Sequence, residues 1–263
     1  MPSPFKAKAE ELRESIDLVA LDHIIDSYDY DSDPLLTQYF RPIEEKLWHR
    51  IESYSAHNKY GLIVADHLRR VSQDGFEFLT NTLGFSKKAA INFHAANLFH
   101  DIGKTHDDYD EGIWDLPHRP TDEERAAKRL HTIRGAEVFL EAIQDLPQEV
   151  QDHPHLSVVI PALQIFHHER IDGTGYAGRN EKTMGTLIRA LCIVDCKDGD
   201  LVKRGHHVSQ RTEKEALLRM TGHCDYDCTH KYEGAFDDLL EKYIAYREEK
   251  TGESILDKAT EDA

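Results

Sequence analysis

Apolar residues recur at three- and four-residue spacing along most of this 263-residue chain, and that periodicity restricts it to helical solutions. Leu12, Ile16, Val19, Ala20 and Ile24 form one such stripe over 5–28, and Leu62, Ala65, Leu68 and Val71 form another over 57–81. Further helices are expected at about 35–54, 86–101, 121–131, 132–145, 155–169, 182–203, 210–221 and 232–249. Their ends carry physical signals. Pro34 suits a first helical turn, Gly84 is a stop, and Ser86 is an N-cap. Thr121 followed by Asp122-Glu123-Glu124 is an N-cap with an acidic first turn. Segments 105–120 and 173–178 read as loops, and 147–154 as a polar interruption. Few runs alternate with period two, and neither a hairpin signal nor an internal repeat is present. The expected class is all-α. Residues 1–55 would form an N-terminal helical extension, 56–250 the main body and 251–263 a frayed tail.

Charge narrows the partners. Asp and Glu number 49 against 32 Lys and Arg, giving −17. That field disfavours a nucleic-acid polymer or an anionic membrane as partner, so an anionic ligand needs local positive charge, which bound metal ions can supply. With no leader-like start and no long apolar run, the expected location is the cytoplasm. Four cysteines in this length do not resemble a disulfide framework. Seventeen histidines are a clear excess, and several stand beside aspartates.

His67 lies mid-helix. His100-Asp101 lies at a helix end before Gly103, which is expected to let the backbone turn sharply. His131 sits at a helix junction with Gly135 four residues on, and His167-His168 close another helix. Asp195 stands in the apolar run Leu191-Cys192-Ile193-Val194, where an unpaired carboxylate is costly. Imidazoles mixed with carboxylates suit borderline transition metals, whereas magnesium or calcium prefers oxygen alone. Seven such ligands are too many for one ion and suit two. Two ions about 3.5–4 Å apart can hold a bridging hydroxide and clamp a phosphate for in-line displacement.

These residues fall into three motifs. His100-Asp101-Ile102-Gly103-Lys104 matches H-D-x-G-K, and His131-Thr132-Ile133-Arg134-Gly135 matches H-x-x-x-G. His167 through Tyr176 follows H-H-E-x-x-D-G-x-G-Y. The chain resembles, over roughly 57–207, the HD-GYP branch of the HD superfamily of metal-dependent phosphohydrolases. The resemblance implies an HD-domain helical bundle with N- and C-terminal helical extensions, acting as a phosphodiesterase on cyclic di-GMP or a similar cyclic dinucleotide. It implies two divalent ions, iron or manganese first, with zinc, cobalt or nickel also compatible. His67, His100, Asp101, His131, His167, His168 and Asp195 would be the ligands, with Asp101 bridging. Asp101 and Lys104 would carry catalysis, and Arg204, Arg170, Gly173 and Tyr176 would meet the substrate. A homodimer is compatible with this reading.

The chain departs from the family pattern at three places. Ala177 stands where the signature has proline, which predicts a less rigid loop. Gly205-His206-His207 replaces P-Y-[RK] in the pattern D-x-x-D-A-L-x-x-x-R-P-Y-[RK], of which Asp195, Asp198 and Arg204 are retained. Ile63 occupies the position where some members carry a third-metal glutamate. Two other readings therefore stand beside the cyclic dinucleotide: a hydrolase of another nucleotide or phosphoester, and a signalling module that binds a nucleotide without turnover. Cys224 and Cys228, with His223 and His230 nearby, lack the second cysteine pair of a zinc module. Cys192 and Cys196 read as core residues. The acidic run 107–111 reads as a solvated loop or a lid.

Overall fold

Helix follows helix throughout the computed structural model, which describes residues 3–57, 59–108, 111–203, 209–222 and 232–256, without the side chains of 55–57, 59–62 and 111. Arg204, Gly205-His206-His207, Cys224, Cys228, His223 and His230 lie outside the described residues, as does the tail beyond 256. The helices are α1 Pro4–Ser15, α2 Leu21–Ile24, α3 Arg41–His57 and α4 Lys59–Asn81. Next come α5 Lys87–Asn97, α6 Asp122–Arg129, α7 His131–Ile143 and α8 Gln148–Gln151. The last four are α9 Ile160–Phe166, α10 Thr186–Leu201, α11 Glu213–Met220 and α12 Asp238–Thr251. Among the described residues there is no strand, and no helix is long and apolar enough to cross a membrane.

The end signals act as expected at several places. Ser86 accepts from the Ala89 N–H at 3.0 Å, and Thr121 with Glu124 closes a full capping box on α6. Gly84 has φ +72°, the left-handed conformation that ends a helix. Elsewhere the helices are shorter than their apolar stripes. The expected helix 5–28 breaks after Ser15, because the Asp17 carboxylate captures the Val19 and Ala20 N–H groups and holds a turn. The segments before α3 and α9 wind as single wide turns, Leu36–Phe40 and His155–Val159, each followed within two residues by a proline that cannot donate to the ladder.

One apolar core runs from Ala9 to Ile255, so the N-terminal helices share it with the body. Phe40, Phe78, Phe93, Phe99, Phe139, Phe166 and Tyr243 are fully buried in it, each contributing about 1.5–3 kcal/mol by burial. Cys192 belongs to this core and Cys196 packs against it; both are free thiols. α4 packs on α3, α5 and α10, while α7 packs on α1, α9 and the turn Ile102–Thr105. Two contacts from the first fifty-five residues fix segments of the site described next. Asp22 accepts from the Thr186 and Leu187 N–H groups at 2.8 Å each, capping α10 from outside. Arg50 donates to Thr105 Oγ1 and O at 2.9 Å each, holding the turn after Lys104.

Behind α4 and α10 lies a buried charged network. Asp74 accepts from Lys197 at 2.9 Å, from Arg247 at 2.8 Å and from Tyr243, and Arg247 also pairs with Glu213. Asp74 and Lys197 are both buried, so each depends on the other for its charge.

Candidate metal centre

The seven histidines and aspartates singled out from the sequence converge in space as two overlapping groups: His67, His100, Asp101, Asp195 and Asp101, His131, His167, His168. Each arrives from a different part of the fold: His67 from α4, His131 from the first turn of α7, Asp195 from mid-α10. His167-His168 follow α9. His100-Asp101 sit beyond the end of α5, on the irregular turn that precedes Ile102–Thr105.

Asp101 belongs to both groups, and its two oxygens divide between them. Oδ1 lies 3.2 Å from His131 Nε2 and 3.4 Å from His167 Nε2. Oδ2 lies 3.4 Å from His67 Nε2 and 3.8 Å from His100 Nε2. Asp195 Oδ1 closes the first group at 3.0 Å from His67 and 3.5 Å from His100, while its Oδ2 lies 3.4 Å from His168 Nδ1. A carboxylate with one oxygen on each of two imidazole clusters has the geometry of a bridge between two cations.

The donor set fits a pair of transition-metal ions. His67 Nε2, His100 Nε2 and Asp101 Oδ1 are buried without a hydrogen-bond partner, although opposite charges lie within 4 Å. Bare buried acceptors are costly unless something electropositive stands among them. The outer nitrogens are already committed. His100 Nδ1 faces Asn97 O at 2.8 Å, His131 Nδ1 faces Lys128 O at 2.5 Å, and His167 Nδ1 faces Gln164 O at 2.9 Å. Each such bond puts the proton on Nδ1 and turns the Nε2 lone pair inward, the tautomer a metal ligand needs.

Electrostatics agree. Burial works to raise the Asp101 and Asp195 carboxyls, yet Lys104 holds Asp101, and His100 with His67 hold Asp195, well below the usual carboxylate range. Burial works to lower His67, but the carboxylates of Asp101, Asp195 and Asp198 raise it to about 10. The cluster therefore demands positive charge at this point. Burial takes His167 down to about 4, keeping it a neutral donor.

Two glycines explain how the motifs meet. A Cβ on Gly103 would stand 1.9 Å from His131 O and 2.4 Å from Gly135 N. Gly103 is thus needed for the close approach of the His-Asp turn to α7; the sharp backbone turn expected of it is not its role, since its φ is not positive. Gly175 serves the same end against Glu169, where a Cβ would lie 2.6 Å from the backbone. Glu169 is buried and accepts from the Ala177 and Arg179 N–H groups at 2.6 Å each. Ala177 therefore does not loosen the loop as its departure from proline suggested. It supplies an N–H that proline lacks, and the loop is tied down through it.

Lys104 sets its ammonium on Asp101 Oδ2, and Tyr176 lies against His168 with ring centres 4.7 Å apart. Arg170 is placed elsewhere, over the Tyr232 ring at 5.1 Å, and lines a small recess with Glu169, Met184 and Arg189. Gly173 (φ +79°) shapes the turn before Thr174. Trp114, which no sequence motif marks, stands edge-on to His131 at 5.6 Å and 5.4 Å from the Lys104 ammonium. Its only signal is a bulky aromatic in a polar loop. The acidic run is fastened at its start, Asp107 by Arg50 and Asp108 by Arg134.

No protein-family model matches the chain. It is 31% identical over 134 residues to the cyclic di-GMP phosphodiesterase PA4108 of Pseudomonas aeruginosa, a match spanning 49% of this chain but only 29% of that protein. Among solved structures its fold is similar to that of Bd1817, an HDG"Y"P protein from Bdellovibrio bacteriovorus, with TM-score 0.53 and 17% identity, over 94% of this chain and 74% of that one. The clustered residues and the helical fold are similar to what the sequence motifs led one to expect. The match to the phosphodiesterase covers less than a third of that protein, and the likeness to the HDG"Y"P protein is one of fold.

Proposed function

We propose that this domain is a two-metal phosphodiesterase whose substrate is a cyclic dinucleotide of the cyclic di-GMP kind. The division of Asp101 between two imidazole clusters carries this reading, because it prepares one carboxylate to hold two cations side by side. The partial identity to a cyclic di-GMP phosphodiesterase supports the choice of substrate. His67, His100, Asp101 and Asp195 would hold one ion, and Asp101, His131, His167 and His168 the other; iron or manganese suits this nitrogen-rich, thiolate-free set. When bound, such a pair lowers the pKa of coordinated water and neutralises phosphate charge.

The protein's own groups supply the rest. Lys104, part-buried and resting on Asp101, would stand beside a phosphate held at the cluster, where its ammonium would offset developing charge. Trp114 and Tyr176 flank His131 at 5.6 and 6.2 Å and restrict water on that side. Arg204 would grip a second phosphate oxygen with its guanidinium fork. The changed segment Gly205-His206-His207 favours keeping a second reading, hydrolysis of a smaller phosphoester.

The test couples metal analysis to a hydrolysis panel of cyclic di-GMP, mixed cyclic dinucleotides, nucleoside monophosphates and a chromogenic phosphodiester. The reading expects two ions per chain and cleavage of a cyclic dinucleotide. Cleavage of the chromogenic ester alone would transfer the assignment to the second reading, and two ions without any turnover would end both.

A further inference from the structure

We infer that Asp198 and Arg70 are positioning residues that make the two metal positions unequal, the His67 position being the tighter. The inference rests on the two-metal reading above and goes beyond its ligand set. Asp198 Oδ2 lies 2.7 Å from His67 Nδ1, and the Arg70 fork holds the same carboxylate at 2.8 Å through Nε and 2.9 Å through Nη2. Arg70 sits three residues after His67 on α4, so one helix face presents the ligand and the clamp for its carboxylate. His100, His131 and His167 lean instead on neutral backbone carbonyls.

A carboxylate behind a ligating imidazole raises its basicity and fixes its ring more firmly than a peptide oxygen does. Asp195 leans the same way, with Oδ1 3.0 Å from His67 and 3.5 Å from His100, whereas in the other group its Oδ2 comes near His168 alone, at 3.4 Å. Asp198 is itself buried, so its charge needs Arg70; half-exposed Arg70 in turn leaves Asp198 no freedom to swing away from His67. The order of filling is thereby built into α4 and α10: the His67 position first, the His131 position second.

The experiment titrates metal-stripped protein with Mn(II), counting bound ions by elemental analysis against graded chelator and recording the electron paramagnetic resonance spectrum. Wild type is expected to bind two ions in two resolved steps and to show a spin-coupled pair at saturation. Asp198→Asn and Arg70→Gln should weaken the tighter step by about 10–100-fold. Near one equivalent, their spectrum should become a mixture of singly occupied positions. His131→Ala should leave the tighter step in place and give an isolated-ion spectrum. Unchanged tight binding in both Asp198→Asn and Arg70→Gln would overturn the inference, as would equal weakening of both steps. Wild type that binds fewer than two ions would instead overturn the proposed function. Melting of the metal-free variants is read alongside; should Asp198→Asn fail to fold, Arg70→Gln alone decides by the same criteria.

Discussion

His155 is fully buried away from the metal cluster, its Nδ1 2.8 Å from the Tyr28 hydroxyl, with His153, Tyr30, Phe40 and Arg41 around it. Burial first, then the charges of His153 and Arg41, pull it down from 6.5 to about 3. Between those values the unfolded chain takes up a proton that the native one refuses, so stability falls as pH drops below about 6.5 and goes on falling towards 3. At pH 5 the loss from this group is about 2 kcal/mol. Denaturant unfolding at pH 7 and pH 5 checks it: His155→Gln should shrink the pH-dependent loss by about that amount, and an unchanged loss would refute the assignment. At the metal centre, Lys104→Gln should keep both ions while reducing turnover by about 10²–10³-fold, since it removes charge from the reaction and not from the ligand set.

Among elements, the short turns carry more of the site than the helices do. Gly103→Ala would force the His-Asp turn away from α7, because the obstacle is backbone at 1.9 Å. The expected cost is about 3 kcal/mol, with metal content falling in parallel. Ala177→Pro restores the family residue, yet it should destabilise by about 1–3 kcal/mol, because it deletes the N–H that satisfies buried Glu169. Thermal melting measures both. The long helices and their caps were legible because periodicity and capping are local. All seven clustered residues were legible too, since their types and order do not depend on the exact backbone path. The break after Ser15 was not, because Asp17 competes for the backbone inside a stripe that still reads as helical. Nor was the turn of Arg170 towards Tyr232, which depends on a partner more than sixty residues away.

For the molecule as a whole, the proposed metal pair would be linked to the stability of the fold. Without the ions, two buried carboxylates and the His67 and His100 Nε2 atoms would have no cation between them, so chelation should lower the melting temperature. At an ion concentration 100 times the dissociation constant, bound metal adds about 2.7 kcal/mol. Calorimetry with and without chelator reads this, and identical melting curves would contradict it. Asp74→Ala tests the network behind α4 and α10. It strands Lys197 in the interior and should cost about 3–5 kcal/mol.

Asp22 caps α10 across 164 positions of sequence. During synthesis at about 5–20 residues per second, the N-terminal helices therefore wait on the order of ten seconds for the strand of chain that will complete them. Asp195 rides on that same late helix. The nascent chain can display six of the seven proposed metal donors before Asp195 emerges with its helix, so a premature ion would find the His67 group open and incomplete; both places are complete only once α10 has been made.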